Sequence, residues 1–409
     1  MTYPVSRFRI RTRMTGRDAE EPHRTASPLE LLFDLTFVVA VAQIADQLAT
    51  GIGVGRGLAD IPPFVMVFFA IWWAWMNFTW FASAYDTDDV PYRLLTLLQM
   101  AGVLVLAAGV PAAFTSANFL GITIGYAMMR VGLIAQWTRA AVENPAGRPT
   151  AVRYAVGVGV VQLGWLTRLA LPVDSANQWW SVYLAFVILA SLELLVPIWA
   201  ERPRMTAWHP HHIAERYGLF TIILLGETIA ALAVGIGAIL GQPHQLGPII
   251  LGATAILVII FGLWWLYFME PSGDGLASHR SLAFYWGYGH YVIFAALGAF
   301  GAGIEVVMRS VGAHALVPPV LAAYAMAGPI AIYVAALWAA NAPLVPRVVV
   351  RAWIALPAAG LLLLVPLAAP QVGLAADVVG QAVVVAVLVA ASIAVKIATH
   401  QMPTEWARD

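Results

Sequence analysis

Long apolar runs separated by short polar stretches dominate this chain from residue 28 to residue 399. Runs of about 18 or more apolar residues are typical of membrane-spanning helices. Membrane barrels need alternating strands of about ten residues, a pattern that is absent from the sequence. The pattern therefore predicts an all-α, multi-pass membrane protein with about 12 spanning helices.

The predicted helices are joined by connections too short for a separate soluble domain. They span residues 28–50, 62–84, 91–114, 117–142, 150–171, 178–200, 211–240, 245–269, 281–308, 315–340, 347–369 and 373–399. Four prolines, Pro111, Pro329, Pro357 and Pro366, are expected to kink or interrupt these helices, since proline lacks a backbone N–H.

Composition supports the membrane class and excludes several kinds of chemistry. Hydrophobic residues make up 61% of the chain and charged residues only 11%, whereas a soluble domain is about a quarter charged. The chain has no cysteine, which excludes disulfides, thiolate metal sites and cysteine nucleophiles. Nucleotide-binding, hydrolase and nucleic-acid motifs are also absent, so we expect no cofactor and no nucleic-acid partner.

Positive charge is distributed unevenly between the two sides of the predicted membrane. With the N-terminus inside, 18 Lys and Arg residues lie on the cytoplasmic side and 3 on the outer side. By the positive-inside rule, we expect both termini to be cytoplasmic. The basic tail, residues 1–27, and the C-terminal tail, residues 401–409, flank the helices.

The basic tail is polar and short of core-forming residues, which favours a mobile segment. Its positive residues are Arg7, Arg9, Arg11, Arg13, Arg17 and Arg24. Such a cluster beside a membrane attracts anionic lipid, although it also serves simply as a topology signal.

The predicted helices at 28–50 and 211–240 resemble each other without gaps. Glu30 aligns with Glu215, Thr36 with Thr221, and an Ile-Ala pair also matches. The Trp pairs at 72–73 and 264–265 extend the match into the next helices. Six helices separate the halves, so we predict two parallel six-helix repeats, residues 28–207 and 208–400.

Three motifs carry a resemblance to a known family. They are SPLELLFDLTFVVAVAQ, WFASAYDTDDVPYRLLTLLQM and ERYGLFTIILLGETI. Together they resemble the bacterial low-temperature-requirement protein A (LtrA) family. The resemblance implies a polytopic protein of the bacterial inner membrane, but no particular molecular activity.

The segment ELLFDLTFVVAVAQ is also similar to the first helix of endolysosomal and bacterial potassium channels with an Arg-x-x-x-Phe-Ser-Asp signature. Phe33 and Asp34 match the Phe and Asp, no residue stands for the Ser, and Glu30 lies near the Arg position. That resemblance implies six-helix repeats whose first helices line an ion pathway.

A helical wheel separates the polar residues of the first helix into two faces. Glu30 and Asp34 share one face near the predicted cytoplasmic end. Charges are costly inside a bilayer, so we expect this face to be anchored by an arginine of another helix. The candidates are Arg93, Arg130 and Arg216. A direct role in binding ions is the alternative.

The second face carries Thr36 and Gln43, and the aligned helix carries Thr221 and Thr228 at matched positions. These side chains are candidates for lining a pathway between the repeats. The alternative is hydrogen bonding between helices, which threonine and glutamine commonly provide in membranes.

Other charges fall inside predicted helices. Arg130 requires a carboxylate or water beside it, and Glu193, His290 and Glu305 are buried titratable candidates. Such a set is able to relay protons or coordinate a cation. It is equally consistent with isolated pairs that hold the bundle together.

Two polar segments are predicted at the cytoplasmic surface. Asp86, Asp88 and Asp89 form an acidic turn, which we expect to cap the next helix and pair with Arg93, since the calcium-loop pattern fails. In the second segment, His211, His212 and Glu215 are weak metal-ligand candidates at a helix start.

The sequence thus favours a channel or transporter for a small cation or proton, with Asp46 and Glu227 attracting it. One alternative is an intramembrane enzyme that acts on a lipid-linked substrate through the acidic turn and the histidines. Another is a non-catalytic scaffold or sensor. The expected partners are membrane lipids and a small ion or solute, and the oligomeric state, including a homodimer, is left open.

Overall fold

Helices form because the backbone of a spanning segment must satisfy its own hydrogen bonds where water is absent. The structure is a computed structural model that describes residues 10–18, 21, 24–170, 179–239, 246–310, 317–345 and 348–401. These residues are almost entirely helical and contain no β-strand.

Most of the helices are long enough to cross a bilayer. In chain order they are α1 (Pro28–Gly53), α2 (Gly57–Tyr85), α3 (Val90–Ser116), α4 (Leu120–Glu143), α5 (Arg148–Arg168), α6 (Trp179–Ala200), α7 (Pro210–Ile239), α8 (Leu246–Phe268), α9 (Ser272–Ser278), α10 (Ala283–Ser310), α11 (Pro319–Asn341), α12 (Ala352–Leu364), α13 (Ala369–Val372) and α14 (Leu374–Gln401). Two 3₁₀ turns, Arg280–Leu282 and Val365–Ala368, precede α10 and α13.

The helix boundaries differ from the predicted spans mainly near prolines and helix starts. α12 ends at Leu364, before Pro366, because proline cannot continue the hydrogen-bond ladder. By contrast, α3, α11 and α12 continue through Pro111, Pro329 and Pro357. The predicted start at residue 347 lies outside the described residues.

Ten of the described helical stretches have the length and apolar character of membrane spans. Helices α4 and α5 are long but not among them, because they carry arginines such as Arg130, Arg139 and Arg153. The fold is that of an all-helical, multi-pass membrane protein, as the hydrophobic pattern predicts.

The chain divides into two structural units. The first comprises residues 1–43 and 63–216, and the second comprises 44–62 and 217–409. The boundary falls within α1, α2 and α7. The Trp pairs that align in the predicted repeat differ in exposure: Trp72 and Trp73 are buried, whereas Trp264 and Trp265 are exposed. The parallel repeat itself stays a prediction.

In the first unit, α3 and α4 pack closely along small residues. Gly102 and Gly109 of α3 face Gly125 and Gly121 of α4, where a side chain would collide with the opposing backbone. Small residues allow such close helix approach in membranes. The backbones of α3 and α4 therefore meet along this stripe.

A short polar ladder joins the same two helices. Gln99 donates to Gln136 at 2.9 Å, and Gln136 donates to Thr96 at 3.2 Å. All three side chains are buried. These hydrogen bonds satisfy polar groups that would otherwise be costly inside the membrane.

In the second unit, close packing again depends on small residues and one phenol. Gly303 of α10 packs against the backbone of α11, where an added Cβ would lie 2.8 Å from the Cα of Met326. Tyr333 of α11 donates to the carbonyl of Leu263 in α8 at 2.9 Å. α14 packs on α8, where Gly262 faces Val385.

We predict that Gly125→Ala destabilises the protein, because the new Cβ would lie 2.8 Å from the Cα of Leu106 and overpack the α3–α4 contact. Overpacking of this kind costs about 1–3 kcal/mol. The measurement is the free energy of unfolding in detergent. Gly360→Ala is the control, since nothing lies within 4 Å of its added Cβ. Equal effects of the two substitutions would contradict the prediction.

Candidate functional site

A buried charge cluster joins the start of α1 to the start of α7 within the first unit. Arg216 donates to Asp34 through Nε at 2.9 Å and through Nη2 at 2.5 Å. It also donates through Nη1 to Glu30 at 2.8 Å. All three side chains are at most 1% exposed. Arg216 is therefore the arginine that anchors the acidic face of α1.

Two further side chains complete this α1–α7 cluster. The indole of Trp75 donates to Asp34 at 2.7 Å, and His212 Nε2 lies 3.2 Å from a carboxylate oxygen of Glu30. Nδ1 of His212 is buried and has no hydrogen-bond partner among the described residues. One nitrogen of this imidazole thus faces a carboxylate while the other is unsatisfied.

A neighbour in the sequence, Ser27, holds the side chain of Glu30 in place. Its backbone N–H donates to the Ser27 hydroxyl at 3.3 Å, and the Ser27 N–H donates to the Glu30 carboxylate at 2.7 Å. This reciprocal pair is a capping box, whose Ser-x-x-Glu signature is visible in SPLE. The cap orients Glu30 toward Arg216 and His212.

Asp86, in the acidic turn, and Arg24, in the N-terminal segment, form the rim of the α1–α7 cluster. One oxygen of Asp86 lies 3.4 Å from Arg17, and the other is buried without a described partner. Burial and the nearby Glu30 raise the pKa of Asp86 to about 6, although Arg24 and Arg17 oppose the shift. Arg24 is itself buried and donates to the carbonyl of Ala82.

The rest of the acidic turn has a structural role. Asp89 caps α3 by accepting from the Tyr92 N–H at 3.1 Å, and it accepts two hydrogen bonds from Arg139. Burial favours the neutral acid, yet these donors and the Thr12 N–H keep the pKa of Asp89 below its ordinary value. Asp88 pairs with Arg93 at 2.8 Å, so Arg93 does not reach Glu30.

The described part of the N-terminal segment packs on the protein instead of extending away from it. Arg11 and the Met14 N–H both donate to Glu143, at 2.9 and 2.6 Å. The Arg17 N–H donates to the Ala84 carbonyl at 3.0 Å. This packing differs from the mobile tail that its composition favours, because backbone groups of the tail bind carboxylates of the bundle.

A second buried cluster, the α4–α6 cluster, surrounds Glu193. Glu193 accepts from Tyr126 at 2.8 Å, from Trp73 at 2.9 Å and from Trp165 at 3.2 Å. Arg130 lies 3.4 Å from the same carboxylate and donates to the Tyr126 hydroxyl. The carboxylate that Arg130 requires is therefore Glu193.

Helix α2 contributes one indole to each cluster. Trp73 binds Glu193 and Trp75 binds Asp34, and residues two apart point to nearly opposite sides of a helix. Both tryptophans are fully buried. The two charge clusters of the first unit thus lie on opposite faces of α2.

The hydroxyls predicted to line a pathway bind their own helices. Thr36 donates to the Leu32 carbonyl at 2.9 Å, Thr221 to that of Tyr217 at 2.9 Å, and Thr228 to that of Leu225 at 2.7 Å. Thr221 and Thr228 are buried, whereas Thr36 and Gln43 are partly exposed. Their role in a pathway stays a prediction.

The remaining predicted charges lie in the second unit. Arg309 pairs with Glu305 and stands 3.9 Å from Asp46. Glu227 is partly buried. Asp46 and Glu305, near the predicted outer ends of α1 and α10, thus share Arg309.

His290 has its polar atoms satisfied within an aromatic cage. Its Nδ1 lies 2.8 Å from the Trp286 carbonyl, and Tyr267 lies 3.1 Å from Nε2. The carbonyl can only accept, so Nδ1 carries the proton and Nε2 accepts from the tyrosine. Rings of Tyr217, Trp286 and Phe294 surround the imidazole. This arrangement is that of a neutral core histidine.

The weak metal candidates are not brought together. His212 turns inward to Glu30, while His211 is exposed and Glu215 is partly buried. Among the described residues, no group of three or more histidine and carboxylate side chains has the arrangement of a metal site.

We predict that Arg216→Gln destabilises the protein by about 3–5 kcal/mol, because it leaves two buried carboxylates without their cation. The measurement is unfolding in detergent, followed by circular dichroism. Arg93→Gln is the control, since its pair with Asp88 is solvent-exposed and such pairs contribute about 0–1 kcal/mol. Similar losses in both variants would contradict the role given to Arg216.

We also predict a pH-dependent gain of stability in Asp86→Asn. The folded state raises the pKa of Asp86 from 3.8 to about 6, so it binds the proton more tightly than the unfolded chain does. Wild-type stability therefore falls as pH rises through that window. Relative to wild type, the variant gains about 2–3 kcal/mol between pH 4 and pH 7.

Thermal unfolding at both pH values measures this gain, and Asp88→Asn, at an exposed carboxylate, serves as the control. A difference between wild type and Asp86→Asn that does not change with pH would show that folding does not raise the pKa of Asp86.

Comparison with known proteins agrees with the resemblance carried by the motifs. The chain is 28% identical over 289 residues to an uncharacterized protein of Rhizobium meliloti strain 1021, a match that covers 67% of this chain and 68% of that protein. The family model described as bacterial low temperature requirement A protein (LtrA) matches residues 25–393. This match begins before α1 and ends within α14. The chain belongs to the LtrA family.

Proposed function

We propose that this LtrA protein is a proton-conducting channel or transporter of the bacterial inner membrane, with a proton bound and released at the Glu30–His212 pair. The observation that carries the proposal is the composition of the α1–α7 cluster. Two fully buried carboxylates, Glu30 and Asp34, share one guanidinium, that of Arg216. With a neutral His212 the cluster has an excess negative charge.

An uncompensated charge in a low-dielectric site is expensive, and binding of a proton removes it. His212 lies 3.2 Å from Glu30, so a proton on its imidazole would neutralise the cluster without moving a helix. Histidine is the side chain whose ordinary pKa lies nearest to neutral pH. Arg216 stays charged throughout, which leaves the imidazole and the carboxylates as the groups that exchange the proton.

The rim, formed by Asp86 and Arg24, would provide a route for protons between the Glu30–His212 pair and the predicted cytoplasmic surface. Asp86 has a pKa of about 6 and interacts electrostatically with Glu30. A carboxyl group that titrates near neutral pH is suited to pass protons between solvent and a buried acid. In this scheme Asp86 serves as the cytoplasmic proton acceptor, and Arg24 limits the negative charge around it.

A cation or solute that moves with the proton would follow the pathway that the sequence predicts along α1 and α7. Asp46 and Glu227 would attract a cation at the outer side.

Proton flux in liposomes tests the proposal. We expect purified protein to dissipate an imposed pH gradient faster than empty liposomes do, as measured by an entrapped pH-sensitive dye. His212→Gln and Glu30→Gln should each lower the initial rate at least about tenfold, because each removes a group that exchanges the proton. Asp86→Asn should alter the pH dependence of the rate.

His211→Gln is the matched control, since His211 is the exposed neighbour of His212 at the start of α7. Its flux should equal that of wild type. Absence of flux above empty liposomes would refute proton transport, and equal flux in wild type and His212→Gln would refute the role of His212.

A further inference from the structure

A small cavity lies beside the α4–α6 cluster, within the first unit. It has a volume of about 30 Å³ and is lined by residues of α2, α4, α5 and α6, together with Phe119. Its walls are mostly aromatic and aliphatic, with Phe69, Phe186 and Trp165 among them, and one charged side chain, that of Arg168, joins them.

Arg168 is buried without a compensating charge among the described residues. Its side chain is 8% exposed, and both Nε and Nη2 lack a hydrogen-bond partner. The guanidinium carbon lies 4.6 Å from the ring centre of Phe119 and 5.9 Å from that of Trp165. Cation–π contacts contribute about 0.5–2 kcal/mol, far less than the cost of desolvating an isolated charge.

The neighbouring α4–α6 cluster offers no spare negative charge to Arg168. Nε and Nη1 of Arg130 are also buried without partners, and Glu193 is the carboxylate that lies beside it. Trp165 connects the two arginines, because its ring faces Arg168 while its N–H donates to Glu193. Arg130 and Glu193 thus balance each other, which leaves no carboxylate among the described residues for Arg168.

We propose that this cavity is a binding site for a halide-sized monovalent anion, coordinated by Arg168. A volume of 30 Å³ exceeds the roughly 10–15 Å³ that one water molecule needs, and it suits a single small ion. The largely apolar lining favours a weakly hydrated anion over a strongly hydrated one, because desolvation of such an ion costs less. The site is independent of the proton-binding cluster on the other face of α2.

Halide-dependent stability tests this site. We expect chloride to raise the melting temperature of the detergent-solubilised protein by about 2–4 °C relative to gluconate at equal ionic strength, in a saturable manner. Bromide should act similarly. In Arg168→Gln the halide dependence should disappear, while Arg153→Gln, at the opposite end of α5, should retain it.

Loss of a buried unpaired charge is not expected to unfold the protein, so Arg168→Gln should be at least as stable as wild type in gluconate. If wild type does not distinguish chloride from gluconate, the cavity holds water and the proposal is wrong. A halide response that persists in Arg168→Gln would place the anion elsewhere.

Iodide quenching gives a second measurement that does not depend on unfolding. Iodide bound beside Arg168 should quench Trp165, which lines the cavity. We expect a saturable quenching component in wild type that is lost in Trp165→Phe and is displaced by chloride. Quenching that is linear in iodide and unchanged by Trp165→Phe would contradict a bound halide.

Asp174, the acidic residue nearest to Arg168 along the chain, lies outside the described residues. The variant Asp174→Asn therefore tests whether the anion that binds Arg168 is an external ion or this carboxylate. An unchanged halide response in this variant supports the proposal. A response that arises only after the substitution would show that the chain supplies the anion itself.

Discussion

The interaction of Arg216 with Glu30 and Asp34 is the constraint on which the first unit depends. Two carboxylates in a fully buried position are tolerable only beside a cation, and Arg216 alone binds both, through three nitrogens. Its planar, forked geometry suits this task better than a lysine would. The start of α7 is thereby held against the start of α1, and Trp75 brings α2 to the same point.

The two buried charge sites of the first unit differ in the sign of their net charge. The α1–α7 cluster has more carboxylates than fixed cations, whereas the α4–α6 cluster together with Arg168 has two guanidiniums and one carboxylate among the described residues. Helix α2 separates them and donates an indole to each. An asymmetry of this kind is costly in a purely structural core, where apolar packing would serve as well. It therefore supports a role in binding mobile charges.

Much of the fold follows from the hydrophobic pattern, because each spanning helix satisfies its own backbone and must present apolar residues to lipid. The acidic face of Glu30 and Asp34 also follows from helical periodicity. The choice of Arg216 from among three arginines does not, since the partners are 182 residues apart and periodicity contains no information on distant contacts.

The same limit applies to Glu193 and Arg130, which the sequence identifies as buried charges without indicating that they pair. The roles of Trp73 and Trp75 depend on which way each indole points, and Ser27 is recognisable only through its capping box. Hydroxyls such as Thr221 are ambiguous in a sequence, because a threonine in a helix can satisfy itself on its own backbone.

The long separation between Glu30 and Arg216 has a consequence for biogenesis. At a synthesis rate of about 5–20 residues per second, the ribosome needs roughly 10–40 s to reach Arg216 after it has made Asp34. During that interval α1 carries two carboxylates without the guanidinium that later binds them. Until α7 emerges, these two acids at the start of α1 must be protonated or lie beside water at the membrane interface. The α1–α7 cluster is therefore assembled only after the seventh helix has been made.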